Sequence, residues 1–275
     1  MKHKIITFGE LMLRLSPDNN ERFTQAHSYE AVYGGGEANT AVSLANFNVD
    51  TRYVTKLPKH TIGQSAVNSL RQYGVDVSRI VRGGDQIGIY FLEKKTSQRP
   101  TNVIYNRNGS AFALATKEDF DWDSIFDGAT WFHFSGITPA ISDNMAEITI
   151  EACKEAKKRG ITVSCDLNYR SKLWSSEKAN KVMSEVCRYV DICIANEDDA
   201  VGIFGMDASK SDKEKNAYIA EELTKMFPNF KMVASVWRTE TSITTFKLQS
   251  MIYTEGKAYY SQEFFMNILD YIGAG

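Results

Sequence analysis

Gly34-Gly35-Gly36-Glu37-Ala38-Asn39 is the stretch on which the fold turns. A short run with strand character at residues 30–33 leads into it. A helix over residues 37–47 follows, with Ala38, Ala41, Val42 and Ala45 at helical spacing. Small residues on that face let the helix pack closely. Three glycines between a strand and a helix also let backbone approach a ligand closely. Asn39 stands on the first turn of the helix, facing back toward the loop. A plain flexible turn is the alternative.

Outward from this stretch the chain alternates strands and helices, the rhythm of an α/β domain. Residues 4–8 read as a short buried strand ending at Gly9, and residues 52–57 as another. Residues 63–73 read as a helix closed by Gly74. Residues 11–15 alternate Leu, Met, Leu, Arg, Leu before the turn at Ser16-Pro17-Asp18. Residues 87–95 and 101–107 break the rhythm: each alternates, and Ser97-Gln98-Arg99-Pro100 joins them as an antiparallel hairpin. An inserted hairpin can cover a site as a lid and exclude water from it. Tyr90, Tyr105 and Arg107 would then project onto a ligand, unless the tyrosines only pack the sheet.

Beyond Ala111 the α/β pattern resumes. A strand at residues 130–134 precedes a helix over residues 143–159 closed by Gly160. The next strand, residues 161–167, carries Asp166-Leu167-Asn168-Tyr169-Arg170 at its C-terminal end, where open α/β sheets hold ligands. Arginine suits planar recognition of carboxylate or phosphate; an ion pair between Asp166 and Arg170 is the alternative. Ser175 or Ser176 caps the following helix. A strand at residues 191–195 ends in Asn196-Glu197-Asp198-Asp199, a set able to hold hydrated magnesium or to cap the helix after it. A helix over residues 217–226 comes next, then strands at residues 231–236, 242–248 and 251–253. A strand-like run at residues 257–265 precedes Asp270-Tyr271-Ile272-Gly273-Ala274-Gly275. A Gly-x-Gly turn after a strand feeds a helix whose first amides bind an anion.

Composition narrows the function. With 275 residues the chain has ample core, and 43% hydrophobic and 24% charged residues are ordinary for a globular protein. A net charge of −2 with scattered basic residues argues against a nucleic-acid surface. Cys153, Cys165, Cys187 and Cys193 form no C-x-x-C pair and have no histidine at zinc-ligand spacing, so they read as buried free thiols of a reducing cytoplasm. No apolar run reaches membrane-spanning length, and the N-terminal stretch does not read as a signal peptide.

Taken together, the motifs resemble the ribokinase-like (PfkB) carbohydrate kinases along the whole chain. The likeness lies in their joint order: Gly34 to Asn39; Tyr105-x-Arg107-x-Gly109-Ser110-Ala111; Phe134-Ser135-Gly136-Ile137-Thr138-Pro139-Ala140; Asp166 to Arg170 with Leu173-Trp174; and Gly273-Ala274-Gly275. Within the family the chain is most similar to the 2-keto-3-deoxygluconate kinases. The resemblance implies one three-layer α/β/α domain over residues 1–275, with a mainly parallel sheet. It also implies a small β lid from strands around residues 11–16, 29–33, 87–95 and 101–107.

The activity implied is ATP-dependent phosphorylation of a sugar acid with Mg2+. Gly35, Asn39, Tyr90, Tyr105, Arg107 and Arg170 would hold the substrate. Asn168, Asn196 and Asp199 would serve the nucleotide, with Asn196 and Asp199 acting on magnesium through water or phosphate. Gly273, Ala274 and Gly275 would form the anion hole. Two arginines favour a substrate with a carboxylate over neutral fructose or ribose. The resemblance also implies a homo-oligomer through the lid and a cytoplasmic location.

Three departures stand out. Asp199 replaces the family's glutamate, the Lys-x-Gly near the nucleotide is replaced around Ser235-Val236-Trp237-Arg238, and the catalytic aspartate expected just after Gly275 is not in the sequence. The expectation is a chain cut on its C-terminal side, lacking its last helices and nearly inactive by itself. The alternatives are a fructokinase or ribokinase, or a non-catalytic sugar-acid-binding module.

Overall fold

The structure, a computed structural model, describes residues 3–96, 98–207, 215–242 and 245–267. It forms two compact units, one reaching to Ala129 and one beginning at Thr130.

The first unit contains strands β1 (Lys4–Phe8), β2 (Met12–Pro17), β3 (Tyr29–Gly34), β4 (Asp50–Val54), β5 (Lys56–Leu57), β6 (Val81–Arg82), β7 (Ile89–Glu93) and β8 (Asn102–Asn106). Its helices are α1 (Gly36–Asn46), α2 (Thr61–Arg71) and the short α3 (Trp122–Ile125). β1 and β4 pair in parallel. The aromatic ring of Phe8 at the end of β1 meets Phe112, Phe120 and Trp122 edge-on, at centroid distances of 5.4, 5.2 and 5.5 Å. These contacts add to the apolar burial that anchors the strand. Ala38 and Ala41 on α1 are buried against Tyr53, Leu57 and Leu70. The small side chains seat the helix where the glycine loop sends it. A separate four-stranded sheet runs in the order β3-β2-β7-β8. Its strands are antiparallel except for the parallel β2–β7 pair.

The second unit contains β9 (Trp131–Ser135), β10 (Thr162–Asp166), β11 (Ile192–Ile194), β12 (Met232–Glu240), β13 (Thr245–Thr254), β14 (Lys257–Tyr260) and β15 (Phe264–Asn267). Its helices are α4 (Ile137–Ala140), α5 (Asp143–Lys158), α6 (Ser176–Val186), α7 (Glu197–Phe204) and α8 (Lys215–Met226). β9, β10, β11 and β12 are parallel neighbours in that order, and β13 and β14 extend the sheet antiparallel.

Ser142 caps α5 by accepting from Met145 N, and Ser175 caps α6 by accepting from Lys178 N. Gly160 ends the α5 segment at φ 69°, in the left-handed region glycine tolerates. The four cysteines are buried and free, as their apolar settings foretell. From Thr245 on, the two short strands read at residues 242–248 and 251–253 are one strand, β13; residues 243 and 244 lie outside the described residues. Gln249 and Ser250 stay in the ladder, opposite Trp237 and Val236 of β12, so their polarity does not interrupt pairing.

Candidate active site

The small sheet sets one row of side chains by register. Arg14 of β2 lies opposite Val32 of β3 and beside Tyr90 of β7, and Tyr90 lies opposite Tyr105 of β8. Directly paired residues share a face of a sheet, so the four form a line across it. The two tyrosine rings are 5.9 Å apart, and the charge of Arg14 acts on the Tyr90 phenol. Burial raises the Tyr90 phenol above its ordinary range, partly offset by Arg14.

A cavity of about 470 Å³ opens on this row, within the usual size of small-molecule pockets. Arg14, Gly34, Asn39, Ser43 and Tyr90 are among its walls. Gly34, the last residue of β3, is its focus: the point a Cβ would occupy there lies 3.8 Å from Asn39 Oδ1 and 3.9 Å from the Tyr90 hydroxyl. The missing side chain therefore leaves open space faced by two polar groups. Its neighbour Gly35 has a different task. A Cβ there would fall 2.2 Å from the Glu10 carbonyl oxygen, so Gly35 permits the backbone approach that starts α1.

Of the residues expected to hold a sugar in this unit, Asn39 and Tyr90 line the cavity, while Gly35, Tyr105 and Arg107 are outside its lining. Arg107 is buried and ion-paired with Glu10, its Nε donating to Oε2 at 2.7 Å. Ser110 Oγ donates to the other Glu10 oxygen. Burial pushes the Glu10 carboxyl up, against the opposing pull of Arg107 and Ser110. The Arg107 guanidinium also lies 5.8 Å from the Tyr105 ring centre, tying this network to the tyrosine row. Arg14 was not singled out from the sequence. The signal was its position as the lone cation in the apolar alternation of residues 11–15.

In the second unit, the ends of β10 and β11 meet. Asp166 closes β10, Asn168 adopts φ 39°, and Tyr169 N donates to Asp199 Oδ1 at 2.7 Å. Asn196 and Asp199 form a capping box at the start of α7: Asp199 N donates to Asn196 Oδ1, and Asn196 N to Asp199 Oδ2, each at 3.0 Å. Burial raises the Asp199 carboxyl, opposed by the two amides and by the charge of Arg170. Arg170 itself is exposed. Asn168 Nδ2 reaches Asp166 Oδ2 at 3.5 Å. Gly273, Ala274 and Gly275 lie outside the described residues.

A profile of the pfkB family of carbohydrate kinases matches residues 2–233. The chain belongs to this family. Its fold is the family's ribokinase-like α/β fold, with a mainly parallel central sheet and a small separate sheet. The 2-dehydro-3-deoxygluconokinase of Thermotoga maritima, known from a crystal structure, superposes with a TM-score of 0.95 at 46% identity, over 100% of this chain and 83% of that one. The 2-dehydro-3-deoxygalactonokinase of Haloferax volcanii is 37% identical over 209 residues, which are 75% of this chain and 65% of the relative. The 2-dehydro-3-deoxygluconokinase of Bacillus subtilis is 29% identical over 179 residues, 64% of this chain and 55% of the relative. The chain thus spans less than two thirds of the length of these last two relatives.

Proposed function

We propose that this pfkB-family chain belongs to a kinase that transfers phosphate from ATP to the terminal hydroxyl of 2-keto-3-deoxygluconate, the acid also called 2-dehydro-3-deoxygluconate. The observation that carries this is the cavity at Gly34, where Asn39 Oδ1 and the Tyr90 hydroxyl face open space beside a buried arginine. Such walls suit a small polyhydroxylated acid. The similarity to the 2-dehydro-3-deoxygluconokinase of Thermotoga maritima supports the same substrate.

Gly35, Asn39, Tyr90, Tyr105, Arg107 and Arg170 are assigned to the substrate side. For Arg107 the basis is the Glu10–Arg107–Tyr105 network, which holds the tyrosine row in place. Asn168, Asn196 and Asp199 are assigned to the nucleotide. Both Asp199 oxygens already accept backbone amides. That donor set suits magnesium approached through water or phosphate, and not direct ligation. Magnesium bound with ATP would offset charge on the phosphates. Gly273, Ala274 and Gly275 are assigned to the anion hole, with an aspartate following Gly275 as base. That base takes the proton of the acceptor hydroxyl as its oxygen bonds to the γ-phosphorus, and the bond to the β-phosphate oxygen breaks to release ADP. The proposal includes a cytoplasmic location. It also includes pairing of copies along β8, an edge strand with Ile104 and Tyr105 half exposed.

The test is ADP release by the full gene product with 2-keto-3-deoxygluconate, fructose and ribose as acceptors. Turnover with the keto acid alone is expected. Turnover with a neutral sugar alone would overturn the substrate, and binding of the keto acid without turnover would leave a binding module.

A further inference from the structure

Three arginines of the first unit are more than nine-tenths buried: Arg14, Arg52 and Arg107. Two are neutralised by carboxylates. Arg52 Nε pairs with Asp76 at 2.8 Å, with its Nη1 on the Ile125 carbonyl, and Arg107 pairs with Glu10. Arg14 differs from both. Its relative exposure is 7%, and among the described residues no carboxylate is paired with it. Its Nε is buried without a hydrogen-bond partner. An arginine cannot relieve such a site by losing its proton, so a buried cation with an idle donor carries a standing cost. The side chain nonetheless lines the cavity at Gly34, in register with Tyr90 of the neighbouring strand.

We infer that Arg14 reads the substrate's carboxylate and is the residue of the first unit that selects sugar acids over neutral sugars. The inference rests on the sugar-acid substrate proposed above. The guanidinium lines the cavity and carries a charge that no carboxylate among the described residues offsets, and its terminal N–H groups can meet a planar carboxylate with two N–H···O bonds, a geometry no hydroxyl reproduces. Arg107 is less suited to that work, because Glu10 already holds its Nε edge. A carboxylate at Arg14 would supply the missing counter-charge and leave the hydroxylated chain to Asn39 and Tyr90.

The experiment is calorimetric titration of the full gene product, wild type and Arg14→Gln, with two ligands. One is 2-keto-3-deoxygluconate. The other is its neutral counterpart, with hydroxymethyl in place of the carboxylate. Arg14→Gln should weaken the keto acid by about 10- to 100-fold, the usual worth of a charge-assisted hydrogen bond. The neutral ligand should change by less than about 2-fold, since it never uses the charge. Equal losses on both ligands, or no loss on the keto acid, would overturn the role of Arg14 and leave the substrate standing. A wild type that fails to bind the keto acid would overturn the substrate and, with it, this inference. If Arg14→Gln does not fold, Arg14→Lys carries the test: it keeps the charge and loses the planar fork. It should then lose about 3- to 10-fold on the keto acid alone, and affinity equal to wild type would overturn the inference.

Discussion

At the head of α7, the polar atoms of Asn196 and Asp199 are closed on the protein itself. Asp199 accepts Tyr169 N with one oxygen and Asn196 N with the other, and Asn196 Oδ1 accepts Asp199 N. Around Gly34 the polar atoms are left open. Asn39 Oδ1 and the Tyr90 hydroxyl face a space that a side chain would have filled, and Arg14 lines it with no carboxylate of the described residues to offset its charge. The first cluster secures a loop, and any duty toward a nucleotide is added to that structural task. The second gains nothing structural from its open valences, which is the pattern of a site that waits for a ligand. Substitutions in the two places should therefore fail differently, in stability at α7 and in affinity at Gly34.

The largest stability effect should come from the closed cluster. Asp199→Asn keeps the size and leaves one oxygen for two backbone donors, setting an amide N–H against one of them. Unfolding in urea should show a loss of about 2–3 kcal/mol, as expected when a buried charged acceptor loses its partners. A loss below about 0.5 kcal/mol, the range of an indifferent surface change, would mean that Asp199 is kept for the nucleotide alone and would break the contrast.

A second effect in the same unit depends on pH. Burial lowers the His133 imidazole from its ordinary 6.5 to about 4, and its Nδ1 lies 2.9 Å from Ser164 Oγ, to which Trp131 Nε1 donates. The folded imidazole stays neutral while the unfolded one takes up a proton below about pH 6.5. Stability carried by this group is whole above that pH and is lost as pH falls toward 4. Between pH 7 and 5 the loss should be about 1–2 kcal/mol. Thermal melts at the two pH values should show a smaller shift for His133→Phe than for wild type. Equal shifts would assign the acid sensitivity to other groups.

What could be read from the sequence was what local physics writes locally. The glycine loop, the small-residue helix behind it and the alternating hairpin each follow from neighbouring residues, and all stand in the structure. Arg14 escaped because its meaning depends on register: only the parallel β2–β7 pairing sets it beside Tyr90. The Glu10–Arg107 pair escaped for the same reason, its partners lying 97 residues apart. For Asn196 and Asp199 the sequence carries two readings, since a capping box and an acidic metal shell draw on the same residue types. Hydrogen-bond geometry reveals the cap, and sequence carries no geometry.

The sharpest form of the contrast needs a substitution that stability does not register. Gly34→Ala adds one methyl whose nearest neighbours, Asn39 Oδ1 and the Tyr90 hydroxyl, are 3.8 and 3.9 Å away, ordinary van der Waals contact. Gly34 is not among the positive-φ glycines, so the backbone accepts alanine without strain. Stability should change by less than about 0.5 kcal/mol, as for an indifferent site. The methyl nevertheless occupies the space that the two polar groups face, and a ligand seated there must move. Affinity for the keto acid should fall by about 10-fold or more, roughly the worth of one lost hydrogen bond. Gly35→Ala is the control. Its methyl would fall 2.2 Å from the Glu10 carbonyl oxygen, so the backbone must shift and stability should drop by about 1–3 kcal/mol. If Gly34→Ala lost stability as Gly35→Ala does, the open space at Gly34 would be a packing feature. If it lost neither stability nor affinity, the ligand would sit elsewhere. A stable Gly34→Ala protein that binds poorly would place the ligand against Asn39 and Tyr90, because the added methyl reaches no other polar group.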